Sequence, residues 1–506
     1  MKRLLSFPVA LAFGLAVVMC LTCRSRFQDP DTWWHLKVGQ TIWESRSLPR
    51  SDQLSYTTGN HAWTPHEWLA EVSIYAAYKA AGYQGLALWL ASLAVLVAVG
   101  VYALCCLYSG NAKVALLGGL VAWFFSSVGL AIRPHLIGYV LLVLELLALH
   151  LGARNPRWLW ALPPLFGLWV NCHGSWVLGL IVLGVFVIAG PDRRRLGLAL
   201  ALSAAALFLN PVGPRLLAYP FDVMFHQSDN LASVSEWRPL DVHEPRGMGM
   251  LLVAGSILAL SLIRRRPLRF PEAALLLVGA GMAFRHTRML FAFGILAAPV
   301  LCRMLADAWE NYEPARDNLR ANTLLITASV LVILAAFPSA AHLDRQVKDA
   351  NPGAAVEFLR RSGIEGRMLN EYVWGGYLIW ASPERKVFID GRTDIFDWTG
   401  VLADYGRWYT VQEDPQLLLS RYGVDYCLLR AGAPMASVLP YLPGWRRVYG
   451  DPAAVVFAKD RHAAQVSQGD EDPRKGVVVG IEVGPGQQQQ AAQRAVGGQG
   501  GRHGQQ

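Results

Sequence analysis

Apolar residues in this chain come in long runs separated by short basic or polar turns. Eleven runs read as membrane spans, at 4–23, 85–108, 114–131, 136–152, 157–170, 175–190, 195–209, 247–263, 271–284, 289–305 and 322–341. A crossing helix needs about 20 mostly apolar residues. Several runs fall short of that, and Pro163-Pro164 interrupts the fifth. Short or broken spans are tolerated where neighbouring helices, rather than lipid, surround the backbone. The first run follows Lys2-Arg3 and lacks a small-residue cleavage end, so it is expected to stay as a helix. The expected architecture is an α-helical polytopic membrane protein of about 11 transmembrane helices.

Past residue 344 the pattern changes. Short apolar strands such as Lys386-Val387-Phe388-Ile389 and Val424–Leu429 alternate with helical stretches near 352–362, 399–409 and 414–421. That alternation predicts a small α/β unit over 345–460. From 461 to 506 the chain turns Gln- and Gly-rich, which predicts disorder. The expected division is a bundle over 1–344 with a large loop at 24–84, the α/β unit over 345–460, and the tail over 461–506.

Charge orients the bundle. With a cytoplasmic N-terminus, the inner loops hold Lys113, Arg154, Arg193–Arg195, Arg264–Arg266 with Arg269, and Arg316 with Arg320. Basic loops belong inside, so loop 24–84 and the α/β unit are expected to be extracytoplasmic, at the cytoplasmic membrane. The turn 285–288, with Arg285 and Arg288, breaks the rule. A cation on the outer side calls for an anionic ligand.

Composition narrows the classes. The chain is 53% hydrophobic and 16% charged, against about 25% charged in a soluble domain. Its net charge of +9 sits in clusters between apolar runs. That argues against a nucleic-acid partner, and the bilayer itself is the expected one. Cys20 and Cys23 form a CxxC with no second pair, and read as inert buried thiols.

The outer loops carry the candidate chemistry. Loop 24–84 holds Asp29-Pro30-Asp31-Thr32-Trp33-Trp34-His35 and Pro65-His66-Glu67-Trp68. Carboxylates there can act as a base or hold a divalent cation, Mg or Mn. Equally, Asp29 or Asp31 can simply cap the next helix. Arg133-Pro134-His135, His173, Glu236 and Arg285-His286-Thr287-Arg288 occupy other outer turns. A lone His173 reads as a helix-end histidine, and Arg133 can snorkel to headgroups. Together they have the parts to bind an anionic, lipid-borne donor, with arginines holding phosphate.

The acidic segment just past the first span resembles that of the GT-C superfamily of membrane glycosyltransferases, which includes oligosaccharyltransferases, protein O-mannosyltransferases and lipid A aminoarabinose transferases. Pro49 with Asp52–Tyr56, and Pro65–Leu69, extend the likeness. Asn370-Glu371-Tyr372-Val373-Trp374-Gly375 is similar to the Trp-Trp-Asp-Tyr-Gly motif but lacks its Asp, so peptide recognition is not implied. The resemblance implies a polyprenyl-phosphate-linked sugar as donor and inverting transfer. It implies Asp31 as base or metal ligand, assisted by Asp29 and Glu236. His35, His66, Glu67, Arg133, His135, His173, Arg285, His286 and Arg288 are then the expected substrate-binding set. Asp390–Asp394 either touches acceptor or is an Asp-Gly turn. A transporter or flippase, a polysaccharide polymerase or ligase, and a non-catalytic assembly protein are the alternatives. No internal repeat supports a transporter, and Glu145 is the clearest charge within a span.

Overall fold

The computed structural model describes residues 2–190, 192–227, 235–310 and 312–460. The tail over 461–506 lies outside the described residues. All eleven apolar runs are helical. They form α1 (Phe7–Cys23), α3 (Trp68–Ser109), α4 (Ala112–Ser126), α5 (His135–Gly152), α6 (Leu162–Cys172), α7 (Trp176–Ala189) and α8 (Arg193–Ala206). After the outer loop come α10 (Pro245–Ile263), α11 (Phe270–Arg285), α12 (Leu290–Met304) and α13 (Leu319–Ala336). Two further helices lie in the large loops, α2 (Asp31–Ser45) and α9 (Pro214–His226). The chain is a multi-pass membrane protein. Among the described residues, five helices meet the length and composition of a crossing helix: α3, α5, α10, α12 with its leading turn, and α13.

Two details differ from the expected boundaries. The second span was expected to begin at 85, yet α3 begins at Trp68. Helical geometry breaks at Ala81 and Gly82, where Gly82 adopts a φ of 58°. A side chain there would be strained, whereas glycine turns the chain freely. The kink therefore separates an outer segment from the apolar span after it. Pro163-Pro164 does not interrupt a helix. It opens α6 after a 3-10 turn at Pro156–Ala161, and proline in a first turn forfeits no helical hydrogen bond.

The C-terminal region builds a four-stranded sheet in the order β1-β2-β4-β3, with β1 (Met368–Asn370), β2 (Tyr426–Arg430), β3 (Trp445–Gly450) and β4 (Ala454–Lys459). Only the β1–β2 pair is parallel. The expected helices appear at Gly353–Arg361, Val401–Tyr409 and Pro415–Arg421. Lys386–Ile389 is not a strand of this sheet. It runs extended against the first outer loop: Val387 N–H donates to Leu54 O at 3.1 Å, and Tyr56 N–H donates to Val387 O at 3.1 Å. Trp34, Val38, Ile42 and Trp63 of that loop are buried in the same core as the sheet. The loop is thus shared between bundle and C-terminal unit, which a division at residue 344 does not convey.

Candidate active site

Loop 24–84 and the C-terminal unit close over one end of the bundle and enclose a cavity of about 730 Å³. Its floor comes from the ends of α5, α6 and α12, its side from α9, and its roof from Tyr372 and Gly391–Asp394. One end is charged, another is lined with histidines, and the part between α7 and α9 is apolar, with Val177, Leu178, Ile181, Phe221 and Met224.

The charged end is organised by Arg133. Its Nε lies 2.9 Å from Asp29 Oδ1, and its Nη1 lies 3.0 Å from Asp31 Oδ2 and 3.7 Å from Glu236 Oε2. Asp29 also accepts the Asp31 backbone N–H at 3.0 Å. The helix that Asp31 begins has Pro30 at its N-cap and no side-chain cap, and the Asp29 oxygens are occupied by Arg133 and this N–H. Asp31 begins α2 and faces the cavity. Burial pushes its carboxyl up to about 6, with Arg133 opposing and Asp29 adding to the rise. It is ionised at neutral pH yet far more basic than a surface aspartate. Gly391 crosses directly over it: a Cβ built there would stand 1.8 Å from Asp31 Oδ1.

The segment bearing Gly391 is locked by a buried ion network. Arg392 Nη1 lies 2.7 Å from Asp52 Oδ1, and its Nη2 lies 2.6 Å from Asp390 Oδ2, all three being essentially inaccessible. Burial opposes ionisation of Asp52, but Arg392 and the Ser55 hydroxyl carry its carboxyl below the usual range. Asp52 therefore joins the first outer loop to the Asp390–Asp394 turn. Asp394 then accepts from Tyr219 Oη at 3.2 Å, which pins α9 to the roof.

The histidine end centres on Glu67. Its Oε1 lies 3.4 Å from His173 Nε2 and 3.7 Å from His66 Nε2. Burial raises the Glu67 carboxyl to about 8, against the pull of Arg288 and Arg133. Burial likewise lowers His66 to about 3 and holds His35 and His173 well below the ordinary imidazole range. Asn171 secures this end: it accepts from Trp68 Nε1 at 2.8 Å and donates to Gly167 O and Leu209 O. His66 stacks on Tyr219 with ring centroids 3.9 Å apart. His35 faces Glu71 Oε1 at 3.2 Å.

Most of the residues singled out from the sequence meet at this cavity: Asp31, His35, His66, Glu67, Arg133, His135, His173, Glu236 and Arg288 line it. Asp29 stands behind Arg133. Arg285 is exposed at the end of α11 and does not line the cavity. His286 sits behind Trp237, its Nδ1 donating to Trp237 O at 2.7 Å. Arg133 is committed to carboxylates, so its guanidinium is not free for phosphate. Arg288 is better placed. It lies 4.3 Å over the Trp237 ring, with no carboxylate partner among the described residues.

Tyr219, Tyr139 and Ser175 are among the cavity residues that were not singled out. Tyr219 was hidden because 210–246 reads as a loop, although Gly213-Pro214 marks a helix start. Tyr139 and Ser175 lie at the ends of apolar runs, where nothing local distinguishes them. A divalent ion does not fit the aspartates as they stand, because the Arg133 guanidinium already occupies the place between Asp29 and Asp31. No group of three or more His, Cys, Asp and Glu side chains among the described residues is arranged to hold a metal.

No family model and no curated protein matches the sequence. Solved structures do. The archaeal oligosaccharyltransferase AglB from Archaeoglobus fulgidus, in complex with an inhibitory peptide and a dolichol-phosphate, superposes with a TM-score of 0.55 at 13% identity, over 89% of this chain and 74% of that one. The Archaeoglobus fulgidus oligosaccharyltransferase in its apo form gives 0.53 at 13% identity, over 84% and 69%. ArnT from Cupriavidus metallidurans, bound to undecaprenyl phosphate, gives 0.51 at 16% identity, over 89% and 97%. The chain therefore has the fold of the GT-C membrane glycosyltransferases, as the first outer loop led us to expect.

Proposed function

We propose that this protein is a membrane glycosyltransferase that moves a sugar from a polyprenyl-phosphate-linked donor to an acceptor on the extracytoplasmic side of the cytoplasmic membrane. The observation that carries this reading is a single cavity holding a basic carboxylate, Asp31, and a guanidinium, Arg288, with no carboxylate partner among the described residues, beside an apolar face between helices. The fold supports it, since AglB and ArnT are both described with a polyprenyl-type phosphate.

In this reading the apolar face admits the lipid tail and Arg288 binds the donor phosphate. Asp31 takes the proton from the acceptor hydroxyl as its oxygen attacks the anomeric carbon. The bond from that carbon to the phosphate oxygen breaks, and its electron pair leaves with the lipid phosphate. Attack and departure on opposite faces invert the configuration. Arg133 positions Asp31 and Glu236. No step is assigned to a metal ion, whose place the guanidinium takes.

The test compares lipid-linked and cell-surface glycans by mass spectrometry in cells with the gene, without it, and with Asp31→Asn. Loss of one glycan with accumulation of its lipid-linked precursor is expected in the last two. An unchanged profile in all three overturns transfer.

A further inference from the structure

The histidine end of the cavity is lined with imidazoles and a carboxyl, and hydrogen bonding assigns the charge of one of them. His173 Nδ1 accepts the Ser175 backbone N–H at 3.1 Å. A nitrogen that accepts bears no proton, so this imidazole is neutral, and its Nε2–H points at Glu67. The Ser175 hydroxyl lies 2.8 Å from the same Nδ1 and accepts from Trp169 Nε1 at 2.9 Å, which fixes its own hydrogen toward His173. His135 Nε2 lies 2.6 Å from Gly129 O. A carbonyl only accepts, so Nε2 carries the hydrogen, and His135 keeps Nδ1 as a bare acceptor when neutral.

The groups facing Glu67 come from every side of the cavity. His66 approaches from its own loop and His173 from beyond α6, while Arg133, Arg288, Asp31 and Asp394 act at longer range. The nearest two are imidazoles, not cations. Among the described residues, no group other than these imidazoles lies at ion-pair distance from Glu67, consistent with a carboxyl that keeps its proton to about 8. A protonated carboxyl both donates and accepts. This wall thus alternates donors and acceptors without fixed charge. Hydroxyl groups, which also donate and accept, satisfy such a wall. With Arg288 holding the phosphate and Arg133 held by carboxylates, an ammonium or a carboxylate would lose hydration there without an opposite charge in the wall itself.

We propose that Glu67, His66, His135 and His173 form the pocket for the transferred group itself, and that it takes an uncharged, polyhydroxylated sugar rather than an amino sugar or a uronic acid. The proposal rests on the lipid-linked donor reading above. It adds the chemical class of the sugar, and it separates a neutral sugar end from the charged end where Arg288 and Asp31 act.

Binding separates the two claims. The full-length protein, purified into lipid nanodiscs, is titrated with undecaprenyl phosphate alone and with the same carrier bearing glucose, 4-amino-4-deoxyarabinose or glucuronate. The glucose-bearing carrier is expected to bind about tenfold or more tighter than either charged one, and tighter than the bare carrier. His135→Ala should bring its affinity down to that of the bare carrier. Glu67→Gln, which keeps a neutral donor and acceptor, should preserve the preference. If a charged sugar binds as tightly as glucose, or if glucose adds nothing to the bare carrier, the neutral-sugar pocket is overturned while the donor reading stands. If no carrier binds, the donor reading falls and this proposal with it.

Discussion

Gly391 of the C-terminal unit lies against the Asp31 carboxylate so closely that any side chain at 391 would overlap it. The groups meet because Arg392, next in sequence, is clamped between Asp390 and Asp52. The catalytic geometry proposed for Asp31 is thus set from two ends of the chain, by the turn into α2 and by a loop some 360 residues later.

Replacing Gly391 by alanine is expected to displace Asp31 from Arg133. Transfer should fall by about a hundredfold in kcat, in line with the cost of moving a catalytic group by about an ångström. Carrier affinity and melting temperature should change little. Steady-state kinetics on the reconstituted protein check this, and an unaltered kcat would remove Gly391 from the site.

Asp31 sets the acid limb of the pH profile. Burial raises its carboxyl to about 6, and a base must be ionised, so kcat/KM should fall as pH drops through about 6 and hold from there to about 8. Asp31→Asn should reduce turnover by about 10²–10⁴-fold above about pH 6, without loss of expression, and by less as the pH falls below it. A profile flat down to pH 4.5, far below that titration, would show that another group is the base.

Glu67 sets an alkaline limb of different origin. The acid form is the one that suits a neutral wall, and it is lost as pH rises through about 8. Affinity for a neutral-sugar carrier should therefore weaken above that point in the wild type and stay level in Glu67→Gln. Weakening of equal size in both proteins would assign the limb elsewhere.

Arg392 tests how the two halves are joined. Its removal leaves Asp52 and Asp390 buried and unpaired, and breaking such a pair costs about 3–5 kcal/mol. Arg392→Met is expected to lower the melting temperature and to expose the 386–394 segment to hydrogen exchange. The double variant that also carries Asp52→Asn should recover part of the loss, since it removes one of the stranded charges.

The sequence by itself determined what depends on local pattern. Solvent and lipid act on each residue separately, so every apolar run became a helix, and Asp29 through His35 marked the acidic turn after the first. The C-terminal helices and the strand near 426 were legible from their short period. Tertiary structure decided what depends on partners far apart in the chain. It spent Arg133 on carboxylates and laid Arg288 over the Trp237 ring. It folded 214–226 into a helix that brings Tyr219 to His66, and it drew Lys386–Ile389 out of the sheet to bind the first outer loop. The physical reason is that charge state and hydrogen-bond role are set by neighbours and burial, which no short window of sequence contains. Asp31 and Glu67 are both carboxylates in one loop, and only their surroundings raise one to about 6 and the other to about 8.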